Sequence, residues 1–378
     1  YHGGTVAGGL AAVVTMVNRI TGSYEQDLSV RLQLIPNNNL VIYTNASTDP
    51  YTSPSSASSS NTALQTALNS VIGSANYDVG HVVHRGSNNG LAGGIGTVCG
   101  STKAQGYTSV DPPTGDVLAI DYAAHELGHQ FGGRHTFNNC GGGPGDSSTI
   151  AVEPGSGTTI MGYAGICDAN NAQLFSDPYF SAINIFGKIG ATPATQMYDY
   201  ISTGGGSSCP IVTPTGNTFP TVEAGPAYTI PRQTAFALTA VSGDADNDAV
   251  SHSWETMDAS SAAVNLPVTD STSNPLYRAF PPVASPTRTF PRLEDVIDGS
   301  VLPTEAYPTQ TRSLNFRCVV RDGRGGVASD DVTVSVLATA GPFVVTAPNG
   351  GGTFQGPMQV TWNPAGTNAG VINCQNVR

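Results

Sequence analysis

The chain has 378 residues, of which 39% are hydrophobic and 11% charged, with 45 glycines, 26 prolines and a net charge of −12. That length allows two or three domains with cores of their own, and the apolar content argues against a disordered chain. Lys103 and Lys188 are the only lysines, so no basic stripe exists to neutralise phosphates, which argues against a nucleic-acid partner.

In chain order, residues 4–20 read as a helix rich in Ala and Val. The alternation of Leu28, Val30, Leu32 and Leu34 with polar residues predicts a strand, and Leu40–Tyr43 a second. A Ser-rich stretch at 52–60 reads as a loop leading to a helix over 61–72. Tyr77–His84 reads as a strand, Gly90–Cys99 as a glycine-rich edge strand, and about 118–131 as a helix. This order predicts an α/β domain on a mixed sheet over 1–205, closed by a linker at Gly204–Ser208.

From 210 to 340 short alternating strands take over, at Phe236–Ala240, His252–Trp254, Leu314–Val320 and Val332–Val336. They predict an antiparallel β-sandwich. Residues 341–378 read as the start of a further sandwich, too short for an independent core and expected to pack on the middle unit or on another chain. Both ends suit a processed piece of a longer secreted precursor. No run of 18 apolar residues exists to span a membrane, and Gly8–Val17 reads as a buried helix rather than a signal peptide.

The six cysteines, Cys99, Cys140, Cys167, Cys209, Cys318 and Cys374, are widely spaced and include no CxxC pair. That usage favours disulfides in an oxidising compartment, although spacing alone does not fix connectivity. The expected pairs are Cys140–Cys167 and Cys99–Cys209, with buried thiols as the alternative for some.

The chemistry concentrates in His125-Glu126-Leu-Gly-His129-Gln-Phe-Gly132-Gly-Arg-His135. His125 and His129, four apart on a helix, face the same way. Gly132 can leave that helix at positive φ and return His135 to the same ion. Three imidazoles and an open position describe a catalytic Zn2+ rather than a structural one. Glu126, beside the first ligand, is placed to act as general base on water held by the zinc.

The HExxHxxGxxH run resembles the metzincin zinc motif, and Thr159-Ile-Met161-Gly-Tyr163 resembles the Met-turn. Over about residues 1–200 the chain resembles bacterial reprolysin-like secreted metallopeptidases. The resemblance implies a metzincin-type α/β catalytic domain, with a mixed twisted sheet, active-site helix and Met-turn, ahead of the all-β sandwich. It implies Met161 as the apolar floor of the site, and Tyr163 as a zinc ligand or transition-state hydrogen-bond donor. It implies a substrate edge strand above the zinc, fitted by Gly93, Gly94, Ile95 and Gly96. The pocket for the residue after the scissile bond is expected along Tyr163–Ile166. Two departures stand out: Thr136 replaces the aspartate that follows the third histidine in adamalysins, and no strand precedes the first helix.

His81 and His84, three apart in a strand, point to opposite faces and do not make a second metal pair. Asp244, Asp246 and Asp248 alternate in a loop that resembles that of polycystic-kidney-disease-type sandwiches. They read either as Ca2+ ligands or as a solvated acidic turn. Asp322–Gly326 reads as a hairpin turn. The leading expectation is a secreted, monomeric, zinc-dependent endopeptidase acting on protein or peptide substrates. The alternatives are a zinc hydrolase of small amides or esters, and a weakly catalytic adhesion or binding module.

Overall fold

The first helix is opened by Thr5, whose hydroxyl accepts the Gly8 N–H at 3.1 Å, and α1 (Val6–Leu28) continues well past residue 20. Its buried residues Met16, Ile20, Tyr24 and Leu28 recur every four positions, a stripe along one face of the helix. Leu28 therefore belongs to the helix rather than to a strand. After Ser29 turns left-handed (φ 55°), residues 30–35 form no regular element and join no ladder among the described residues. A computed structural model describes residues 1–51, 57–188 and 196–376.

The strand expected at Leu40–Tyr43 is instead a 3₁₀ turn, Asn38–Val41. Three successive asparagines favour local turns over ladders. Part of the Ser-rich loop, 52–56, lies outside the described residues, and α2 spans Ala57–Val71. Three short strands follow: β1 (Val82–His84), β2 (Asn89–Ala92) and β3 (Gly106–Ser109). They form a mixed sheet in the order β1-β3-β2, with β1 parallel and β2 antiparallel to β3.

The edge strand is thus Asn89–Ala92, and Gly93, Gly94, Ile95 and Gly96 lie beyond it. Gly96 takes φ +70°, which ends extended pairing, and its N–H donates to the His129 carbonyl at 2.8 Å. A π-helical stretch, Val117–Ala124, then runs directly into α3 (His125–Gln130). Ile120, Ala123 and Leu127 from these turns bury against Ile20 and Tyr24 of α1 and against Ile160, Met161 and Phe180. Two further short helices, α4 (Ala182–Phe186) and α5 (Met197–Ser202), complete this unit. Cys99–Cys209 and Cys140–Cys167 are disulfides, as expected, whereas Cys318 is a buried free thiol and Cys374 an exposed one.

Beyond it the chain is β-rich. Strands β4 (Thr221–Glu223), β5 (Tyr228–Pro231), β6 (Phe236–Thr239) and β7 (Val241–Gly243) precede β8 (Ser251–Thr256) and β9 (Thr287–Phe290). After α6 (Leu293–Asp298) come the two longest strands, β10 (Arg312–Arg321) and β11 (Val327–Leu337). A four-stranded sheet, β5-β11-β10-β8, faces the β6–β9 ribbon over a core of Phe236, Tyr277, Phe290 and Phe316. Phe290 and Phe316 are 4.6 Å apart between ring centroids. The hairpin β12 (Val344–Ala347) with β13 (Thr361–Asn363) is exposed along both strands. Among the described residues no helix is long and apolar enough to cross a membrane.

The β-unit and the α/β unit share a core. Side chains alternate across a strand, and from Phe316 to Arg321 both faces of β10 are covered. Leu314, Phe316, Cys318 and Val320 point into the sandwich. Val319 packs with Ile150, Val152 and Ile183 of the first unit, and Arg317 donates to the Gly187 carbonyl at 2.8 Å. Arg321 is fully buried and pairs with the equally buried Asp27 of α1 at 2.6 Å.

Candidate active site

α3 presents His125 and His129 on one face, and the chain leaves the helix at Gly132 with φ +98° to return His135. The His135 Nε2 lies 3.1 Å from the Nε2 of both His125 and His129. The other ring nitrogens are committed. His125 Nδ1 meets the Ile160 carbonyl at 2.7 Å, His129 Nδ1 the Gly133 carbonyl at 2.9 Å, and His135 Nδ1 a carboxylate oxygen of Asp146 at 2.8 Å. Carbonyls and carboxylates only accept, so each Nδ1 carries the proton and each Nε2 offers a lone pair.

Burial, with the neighbouring histidines, lowers His129 to about 4 and holds His125 well below the ordinary value, keeping these rings neutral. Three lone pairs converging without a shared proton call for a cation. Tetrahedral zinc, with Zn–N of about 2.0–2.1 Å, sets ligand nitrogens roughly 3.3 Å apart, which these residues fit.

Glu126 is buried and lines, with His125, Tyr163 and Asn89, a cavity of about 410 Å³. Burial pushes its carboxyl up to about 8, against the Ala92 N–H that favours the charged form. The Tyr163 ring packs 4.7 Å from His135 and 4.5 Å from Phe137, and burial pushes its phenol up to about 12.

The profile of metallo-peptidase family M12B, reprolysin-like, matches residues 1–191. The chain belongs to that family. With the histidine cluster, membership makes it an enzyme, a zinc metallopeptidase. No curated protein matches its sequence.

In this M12B metallopeptidase Met161 is fully buried. A Cβ on Gly128 would stand 2.5 Å from the Met161 Sδ, so only glycine lets α3 approach this floor. The hydrogen bonds left open by Thr136 are supplied by Glu153. Its carboxylate accepts the Thr136 hydroxyl, the Thr158 N–H at 2.7 Å and the Thr159 N–H at 3.1 Å. The Thr136 N–H also donates to the Met161 carbonyl at 3.2 Å.

Sequence reasoning missed Gly128, Asp146 and Glu153. Asp146 accepts the His135 backbone N–H as well as its ring. Although burial acts to raise it, the hydrogen bonds from His135 hold its carboxyl well below the usual carboxylate range. The only signal in the sequence was an acid closing a glycine-rich turn soon after the third histidine.

His81 is a half-buried structural residue whose ring nitrogens meet Gln130 and Thr108 at 3.3 and 2.9 Å. Asp244, Asp246 and Asp248 do come together. Their oxygens already serve the loop: Asp244 accepts the Asp246 and Asp248 N–H groups, Asp246 accepts the Thr218 N–H, and Asp248 pairs with Arg324 at 2.7 Å. The second Asp244 oxygen, Oδ2, is buried without a hydrogen-bond partner among the described residues.

Proposed function

We propose that this metallopeptidase is a secreted endopeptidase that hydrolyses peptide bonds of extracellular proteins. The observation that carries the reading is the placement of the metal centre beside a sheet edge. β2 is paired with β3 on one side, and its Asn89 and Gly90 line the same cavity as His125 and Glu126. An extended peptide laid along β2 would bring a carbonyl over the three histidines. The two disulfides support a destination outside the reducing cytoplasm.

Bound zinc supplies a Lewis acid that polarises the scissile carbonyl and acidifies water. Glu126 takes the proton of the attacking water on its carboxylate and passes it to the leaving amine. Its burial keeps that proton affinity high. The Tyr163 phenol, kept protonated by burial, donates a hydrogen bond to the oxygen where negative charge develops.

An unfolded protein should be cleaved by the zinc-loaded enzyme, not after chelation, and again once zinc is restored. Glu126→Gln should retain zinc while losing about 10²–10⁴ in rate. Tyr163→Phe should lower turnover more than zinc content. Failure to cleave any peptide of a library, together with hydrolysis of small esters, would replace endopeptidase by small-molecule hydrolase.

A further inference from the structure

The cavity beside the metal centre has one charged wall that the reaction does not use. Asp121 lies four residues before His125, so the helix turns both toward the same cavity, which each of them lines. Its carboxylate is held in place: Oδ1 accepts the Ser176 N–H at 2.7 Å. Nearby Asp116 already pairs with Arg19 at 2.8 Å, whereas Asp121 has no ion-pair partner among the described residues. No lysine or arginine lines the cavity. Its rim is apolar, with Leu174 72% and Phe175 57% exposed and Val117 and Ala164 beside them.

We infer that Asp121 makes this pocket selective for a lysine or arginine at the position following the scissile bond. The inference rests on the endopeptidase reading. Lysine and arginine carry a long apolar stem that ends in a charge. The stem would lie along Leu174, Phe175 and Val117, and the charged end would reach the Asp121 carboxylate. In a partly desolvated wall such a pair is stronger than in water, and an apolar or acidic residue would leave the carboxylate unpaired. A fixed carboxylate with no cationic partner, in a cavity lined by no lysine or arginine, thus discriminates by charge, not size.

The test uses the full zinc-loaded chain and matched peptides that differ only after the scissile bond, in Lys, Arg, Leu or Glu. Wild-type enzyme should show a higher kcat/KM for Lys and Arg than for Leu, and lowest for Glu. Asp121→Asn keeps an acceptor for the Ser176 N–H and removes the charge. It should shrink the Lys-to-Leu ratio by about 10- to 100-fold. Asp121→Lys should move the preference toward Glu. If wild-type prefers Leu, or if Asp121→Asn slows every peptide equally, Asp121 is only a latch for Ser176 and the inference falls.

Binding of the same peptides to the zinc-loaded Glu126→Gln protein, read by fluorescence anisotropy, separates this from the activity itself. If no peptide is cleaved, the endopeptidase reading fails. The binding ratio then decides Asp121 alone, and equal affinity for Lys and Leu peptides overturns it.

Discussion

His135 differs from its two partners in what holds its second ring nitrogen: a carboxylate instead of a main-chain carbonyl. A carboxylate behind an imidazole fixes its tautomer and orientation and raises its basicity toward a metal. Asp146→Ala should therefore weaken zinc affinity about 10- to 100-fold, with Asp146→Asn in between. Competition with a chromophoric chelator measures this directly; unchanged affinity would reduce Asp146 to a loop contact. The three ligands were legible from spacing because a helix and one glycine are enough to predict their convergence. Asp146 was not, because it reaches His135 only through the path of a glycine-rich loop. Gly128 was hidden for the same reason: its role is set by Met161, 33 positions away.

At the level of elements, the active-site helix was readable, and β1 and most of β2 fall within the strands expected at 77–84 and 90–99, whereas β3 was not foreseen. The alternation at Leu28–Leu34 fits a strand, but Leu28 also completes the four-residue stripe of α1, and the helix takes it. Glycines at 93–96 looked like an open peptide edge. Three of these four residues have no side chain to hold a pleat, and at Gly96 the segment bends onto α3, which leaves Asn89–Ala92 as the edge. The Met-turn is tied to the third-histidine segment by Glu153, an element-to-element link built from one buried carboxylate with donors on both sides. Hydrogen bonds to a charged acceptor are worth about 1.5–3 kcal/mol each, and an amide keeps only part of that set. Glu153→Gln should cost about 2–3 kcal/mol in urea unfolding. A midpoint equal to wild type would show that Thr136 and the Met-turn hold together without the charge.

Across the whole molecule, the sandwich is part of the catalytic unit's foundation. Asn138, three residues after the last ligand, donates to the Ser260 carbonyl at 3.2 Å and accepts the Val264 N–H at 3.0 Å. Thr158, just before the Met-turn, donates to the Ala279 carbonyl at 3.3 Å. The Asp27–Arg321 pair is the deepest of these joints, and Arg321 also donates to Ser253 and to the Phe180 carbonyl. Removing one partner of a buried pair typically costs about 3–5 kcal/mol, since it strands the other charge. Arg321→Met should lower stability by that amount, and the loss should fall on both units in a single calorimetric transition. Two separated transitions would show that the units unfold independently.

The double burial of β10 also bears on inheritance. Gly204–Ser208 invites a cut-and-paste view, in which peptidase and sandwich are traded between genes at a glycine-rich seam. Yet positions 317, 319 and 321 are answerable to the peptidase, while 314, 316, 318 and 320 are answerable to the sandwich. A foreign sandwich spliced in at that seam would arrive with the wrong alternate residues for its new neighbour. The two halves are therefore bound to drift together, alternate residues of one strand keeping pace with partners encoded from 130 to 294 positions upstream.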